Sequence, residues 1–285
     1  MRKPAERAFC WRRAALCQPN PRKKIWKRSE PQFPSATQFA AFLAAGISAG
    51  VVSGAMGVGG AVVATPLVRL IGLGPHLAIG TTVPAILPAA LTGAYAYRKE
   101  GLIDSTTAIR MAIPGALASF GGALATRSIN GHLLMVATAG VLAVLALRNT
   151  ARSGPSPPQR HHGAVFGLSL GVIAGFFSGL LGIGGGFLIV PALIRFGGFP
   201  VKTAVGTSLA AISLMSIPNV AGQALAGNVS WVPAGLLAAG VIPGARLGAK
   251  LAIAADEAKL RWIVGGGLAL AAAAFGISEL RAIFF

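Results

Sequence analysis

From Ser35 onward the chain is apolar almost without interruption, and this constrains its fold more than any other feature. Ten apolar runs can be drawn between breakers, near 36–55, 57–73, 77–97, 108–126, 132–148, 163–181, 183–197, 203–223, 231–252 and 261–283. A soluble helix would show a charged face. These runs show glycine, alanine, serine and threonine instead, and only 11% of the 285 residues are charged while 54% are hydrophobic. With a mean hydropathy of +0.70, the chain reads as a polytopic membrane protein. Inside hydrocarbon every backbone N–H and C=O must be satisfied within the protein, so the expected class is all-α, with 8 to 10 transmembrane or re-entrant helical segments.

Within this apolar sequence lie two glycine clusters, SGAMGVGGA at 53–61 and SGLLGIGGG at 178–186. A shift of 125 positions superimposes 46–66 on 171–191 with nine of 21 residues identical, all of them glycine, alanine, serine or proline. AIGTT at 78–82 then meets AVGTS at 204–208, and PGA at 114–116 meets PGA at 243–245. The chain is therefore expected to hold two membrane repeats, 36–148 and 163–285, joined by a Pro, Ser and Arg-rich linker at 149–162. A broken element counted as one crossing gives four crossings per half and parallel repeats, which the charge pattern favours; counted as two crossings or a re-entrant hairpin, it inverts the second half. About 37 residues of continuous helix would measure roughly 55 Å, too long for one span, so each element must break or turn back.

Spaced glycines precede each cluster, Gly46, Gly50 and Gly54 in one half and Gly171, Gly175 and Gly179 in the other. They form small-xxx-small steps that suit close helix packing. The clusters themselves are too glycine-dense for regular helix, which costs about 1 kcal/mol per glycine relative to alanine. Local unwinding there would aim free N–H groups and the positive ends of helix dipoles at a ligand, a preference for anions. The candidate substrate-binding residues are Ser53, Gly57, Gly59 and Gly60 in the first half, and Ser178, Gly182, Gly184, Gly185 and Gly186 in the second. Thr81 and Thr207, which open the following helices, offer hydroxyls, and Asn219 and Gln223 lack polar counterparts in the first half, where Gly93 and Tyr97 stand. Each of these polar side chains has a structural alternative as a cap or an interhelical hydrogen bond.

The net charge of +18 would suggest nucleic acid in a soluble domain, but ten of the 25 Lys and Arg lie before residue 29. That placement describes a basic, disordered tail over residues 1–35, on the cytoplasmic side and near anionic headgroups, so the expected partners are the bilayer and a small anion. Arg69, Arg195 and Arg246 stand near segment ends, where snorkelling competes with substrate contact. Both cysteines, Cys10 and Cys17, are in the tail, and the four histidines show no metal-binding spacing. GIGGG lacks the GK[ST] of a phosphate loop, and no nucleophile, base and carboxylate set occurs. Neither an enzyme nor a metal or cofactor is expected.

The motif GxxxGxxSGxxGxGG followed by proline, present twice, with PGA in each half and GARL at 244–247, resembles the sulfite exporter TauE/SafE family of membrane permeases. The resemblance covers about residues 38–283. It implies a multi-pass protein of the bacterial inner membrane that moves small sulfur-containing anions such as sulfite, sulfonates or related organic acids. Position by position it points to Ser53, Gly54, Gly57, Gly59 and Gly60, and to Ser178, Gly179, Gly182, Gly184 and Gly185. Ala61 stands where the second cluster has Gly186, which implies a tighter first break. The reading from another class is a non-transporting membrane scaffold whose glycines only pack helices.

Overall fold

A computed structural model describes residues 35–150 and 164–256, with Gly266, Ala269 and Ala273. The basic tail with its cysteines, almost all of the linker with His161 and His162, and most of the segment at 261–283 lie outside the described residues.

Among the described residues the regular structure is helical, without strands. The α-helices are α1 (Ala36–Met56), α2 (Ala61–Leu70), α3 (Pro75–Lys99), α4 (Ser105–Ala125), α5 (Gly131–Thr150), α6 (Ala164–Leu181), α7 (Gly186–Arg195), α8 (Val201–Leu225) and α9 (Trp231–Ala254). Their starts follow local chemistry. Ser35 and Gln38 form a reciprocal capping box on α1, Pro75 begins α3 where no N–H is needed, and Asp104 Oδ1 accepts the Thr107 N–H at the start of α4. Helices α1, α3, α4, α8 and α9 are long and apolar enough to cross a bilayer. At 10 residues each, α2 and α7 measure about 15 Å and reach only halfway.

Large apolar side chains point outward, with Leu117 77% and Val165 76% exposed, while glycine and alanine line the helix contacts. That is the distribution of a protein whose outer solvent is lipid. The spaced glycines pack α1 on α9 and α6 on α4. A Cβ on Gly46 would lie 2.6 Å from the Leu237 carbonyl oxygen, and one on Gly171 would lie 2.9 Å from the Met111 Cα. The PGA glycines complete these contacts, since Gly50 meets Gly244 and Gly175 meets Gly115. Each repeat thus sends its first helix onto the fourth helix of the other, and neither half closes alone.

The same contacts fix the relative direction of the repeats. Asp104 N–H donates to Thr207 Oγ1 at 3.0 Å and Ser230 N–H donates to Thr81 Oγ1 at 3.0 Å, so the start of each of α3 and α8 meets the loop that follows the other. These two helices are therefore antiparallel. The end of α1 lies at the start of α8, where Ser208 Oγ donates to the Gly57 carbonyl at 2.9 Å, and the end of α6 lies at the start of α3, beside Ile79. The repeats are inverted. This corrects the parallel count that the charge pattern favoured, and the reason is local: the chain reverses at each break. A Cβ on Gly60 would sit 3.0 Å from the Ala49 carbonyl oxygen, and one on Gly185 would sit 2.9 Å from that of Ala174, about two turns back along the preceding helix.

The paired threonine bonds carry a stability prediction. Thr81→Val and Thr207→Val each leave a loop amide without its acceptor, so each should cost about 1 kcal/mol. Their distance from each other makes the costs additive. Thermal denaturation of the purified protein in detergent should show two similar single shifts and a double variant near their sum.

Candidate functional site

Both glycine clusters are true interruptions. α1 ends at Met56, and Gly57, Gly59 and Gly60 take φ values of 70°, 81° and 75° before α2 begins. α6 ends at Leu181, and Gly182 and Gly184 take 66° and 73°, with Gly185 as the cap of α7. These positive φ values are left-handed backbone that only glycine adopts without strain, which accounts for the residue type and for the density of the clusters. Gly57 N–H donates to the Ser53 carbonyl at 2.8 Å and Gly182 N–H to that of Ser178 at 2.9 Å, so the first glycine of each cluster closes its helix in the same way.

The two breaks touch. A Cβ at Gly59 would lie 3.4 Å from the Gly184 Cα, and one at Gly184 would lie 3.3 Å from the Val58 carbonyl oxygen. Gly186 packs against the Gly57 carbonyl and the Val58 Cα, so the second break also meets the backbone of the first at this position. Ile86 flanks Gly59 and Gly184, and Ile212, its equivalent 126 residues on, flanks Gly186. These two isoleucines were not singled out from the sequence, although extending the AIGTT and AVGTS match would have paired them.

Every residue of 57–60 and 182–186 is buried. At the start of α2, Val63 and Ala64 N–H donate to the Gly60 carbonyl; at the start of α7, Leu188 and Ile189 N–H donate to that of Gly185. The N–H groups of Gly59, Gly60, Gly184 and Gly185 find no partner among the described residues. Two helix starts with open donors thus converge on one buried point, each carrying about half a positive charge.

The predicted polar residues divide by surroundings. Ser53 is fully buried beside Gly60, and its Oγ has no partner among the described residues. Ser178 is held by Asn219, whose Nδ2 donates to the Ser178 carbonyl at 3.3 Å while its own Oδ1 stays without a partner. Gln223 is satisfied at both ends, with Nε2 donating to the Gly179 carbonyl at 2.8 Å and Oε1 accepting from Asn228 Nδ2 at 2.9 Å. Its counterpart Tyr97 donates its hydroxyl to the Gly54 carbonyl at 3.2 Å, so both bind neighbouring helices at matching places. Thr81 and Thr207 have hydroxyls occupied by the loop amides described above.

No Lys, Arg, Asp or Glu is buried among the described residues. Arg69 Nη1 donates to the Leu73 carbonyl at 3.0 Å in the loop after α2, Arg195 is exposed with its guanidinium over the Phe196 ring, and Arg246 is exposed on α9. Among those residues, no three His, Cys, Asp or Glu side chains cluster as metal ligands. Among the described residues no buried side chain brings positive charge to the breaks, and the helix starts supply what positive potential there is.

Comparison with known proteins agrees in class. The family model described as Sulfite exporter TauE/SafE matches residues 42–275. The chain is 32% identical over 217 residues to a "Probable membrane transporter protein" of Xylella fastidiosa strain Temecula1, covering 74% of this chain and 83% of that one. It is 27% identical over 246 residues to the "Probable membrane transporter protein YunE" of Bacillus subtilis, covering 77% and 89%. No solved structure matches it.

Proposed function

Because the chain belongs to the sulfite exporter TauE/SafE family, we propose that this membrane transporter is a permease for a small sulfur-containing anion, such as sulfite or a sulfonate, which passes where the two glycine breaks meet. The observation that carries this reading is the backbone contact of Gly59 with Gly184 at the convergence of two buried helix starts. Buried amide donors and dipole ends favour negative charge and repel cations. Inverted repeats give a pair of arrangements related by a pseudo-two-fold axis in the membrane plane, so opening one side and then the other moves a bound ion past a fixed point. The location that accompanies this reading is the bacterial inner membrane, with the basic N-terminal residues in the cytoplasm.

The test is flux into proteoliposomes containing the purified protein. Labelled sulfite and hydroxymethanesulfonate should enter faster than into protein-free vesicles, and labelled choline should not. Choline entry equal to that of the anions, or no anion entry above the protein-free rate, would overturn the reading.

A further inference from the structure

Among the described residues the buried side chains around the breaks carry no charge, and one of them, against Ser178 in the last turn of α6, is an acceptor without a partner. Resting on the anion-permease reading, we propose that the transported species is a monoanion bearing its own hydrogen-bond donor, which Asn219 Oδ1 accepts.

The charge follows from what surrounds the ion. The buried polar side chains of the described residues are Ser, Thr, Asn, Gln and Tyr, all neutral. The starts of α2 and α7, about +0.5 each, are offset in part by the negative C-terminal ends of α1 and α6 at the same breaks, so the backbone there matches at most one negative charge and not two. Desolvation makes the mismatch worse, because the Born cost of removing an ion from water rises with the square of its charge. A dianion is left with one charge uncompensated in a buried site.

The donor follows from Asn219. Its side chain is 1% exposed and lies against Ser178, whose carbonyl also accepts the Gly182 N–H that closes α6 at the break. That carbonyl can only accept, so the amide nitrogen faces it, with Ser178 Oγ 3.5 Å from the same nitrogen, and Oδ1 points elsewhere. Oδ1 has no partner among the described residues. Gln223, one turn further along α8, is the contrast, since both of its ends are bonded within the protein. The position equivalent to Asn219 in the first repeat is Gly93, whose open side is filled by the Leu209 side chain. The acceptor therefore exists on one side of the pseudo-symmetric site only. On the other side Ser53 offers a hydroxyl without a partner among the described residues, beside the start of α2. Bare anionic oxygens suit the amides and Ser53 as donors, and they would be repelled by Asn219 Oδ1. A hydroxyl or amino hydrogen on the same molecule suits Asn219.

The experiment compares three labelled anions in the same proteoliposomes: hydroxymethanesulfonate, a monoanion with a donor; methanesulfonate, a monoanion without one; and thiosulfate, a dianion without one. The expected result is that hydroxymethanesulfonate enters about 10-fold faster than methanesulfonate, the weight of one unsatisfied buried acceptor, with thiosulfate at the protein-free rate. In Asn219→Leu the ratio of the two monoanions should collapse to about one. Equal entry of the two monoanions in the wild type, or a ratio that persists in Asn219→Leu, would refute the role of Asn219 while leaving an anion permease in place. Thiosulfate entering as fast as the monoanions would refute the charge assignment. If none of the three enters, the permease reading itself fails and this proposal with it. Should Asn219→Leu not fold, Asn219→Ala removes the same acceptor with less bulk, and the wild-type ratio alone still decides.

Discussion

Gly184→Leu should lower anion flux by about 10²-fold, the scale of misplacing a reacting or binding group by an ångström, while Gly227→Leu should leave flux per folded molecule near wild type. The two glycines form a matched pair because both have φ of 73°. Either substitution imposes the same left-handed strain, on the order of 1–2 kcal/mol. They differ in what the new side chain meets. At Gly227 a Cβ would meet nothing within 4 Å among the described residues, whereas at Gly184 the side chain must enter between Val58, Gly59 and Ile86 and push the breaks apart. Proteoliposome flux normalised to folded protein separates the shared strain from the lost juxtaposition. Equal flux in the two variants would mean that the contact between the breaks is structural only.

The second large effect is on folding, and it contrasts two adjacent residues. Gly122→Leu should remove the monodisperse, folded species from detergent extracts, an effect exceeding about 4 kcal/mol, whereas Gly121→Leu should be tolerated and can stabilise α4 by about 1 kcal/mol. Gly122 lies against the backbone of α6, where a Cβ would come within 3.0 Å of the Leu180 amide nitrogen and 3.1 Å of the Phe176 carbonyl carbon. Backbone cannot rotate out of the way as a side chain can, so the helices must separate and lose their contact along the whole seam. A Cβ on Gly121 would meet nothing within 4 Å among the described residues, and the residue is exposed. Size-exclusion profiles and denaturation midpoints of the two variants check this, and similar behaviour of both would contradict the packing of α4 on α6.

That pair shows where sequence reasoning stops. Gly121 and Gly122 are identical letters in an apolar run, and only the neighbouring helix distinguishes them. The interruption at each cluster was legible because glycine density is a local property; that Gly57, Gly59, Gly182 and Gly184 interrupt the helix through left-handed backbone was not. The packing role of Gly46, Gly50 and Gly54 was legible for the same reason, since a four-residue step places them on one helix face. The direction of the second repeat was not legible, because the reversal depends on the φ and ψ of individual break residues while the charge pattern reads only the loops. The different states of Asn219 and Gln223 were also hidden. Both are polar, buried and one turn apart, yet Asn228 completes Gln223 and nothing completes Asn219 among the described residues.

By itself the sequence determined the class of solvent, the helical class, the duplicated glycine motif and the places where the chain must bend. Each of these follows from the composition and spacing of residues near one another along the chain. Only the tertiary structure decided that α1 packs on α9 and α6 on α4, that the repeats are inverted, and that Gly59 meets Gly184. Those are relations between backbones far apart along the chain, and in a protein whose helices are lined with glycine and alanine many pairings look alike until close packing selects one.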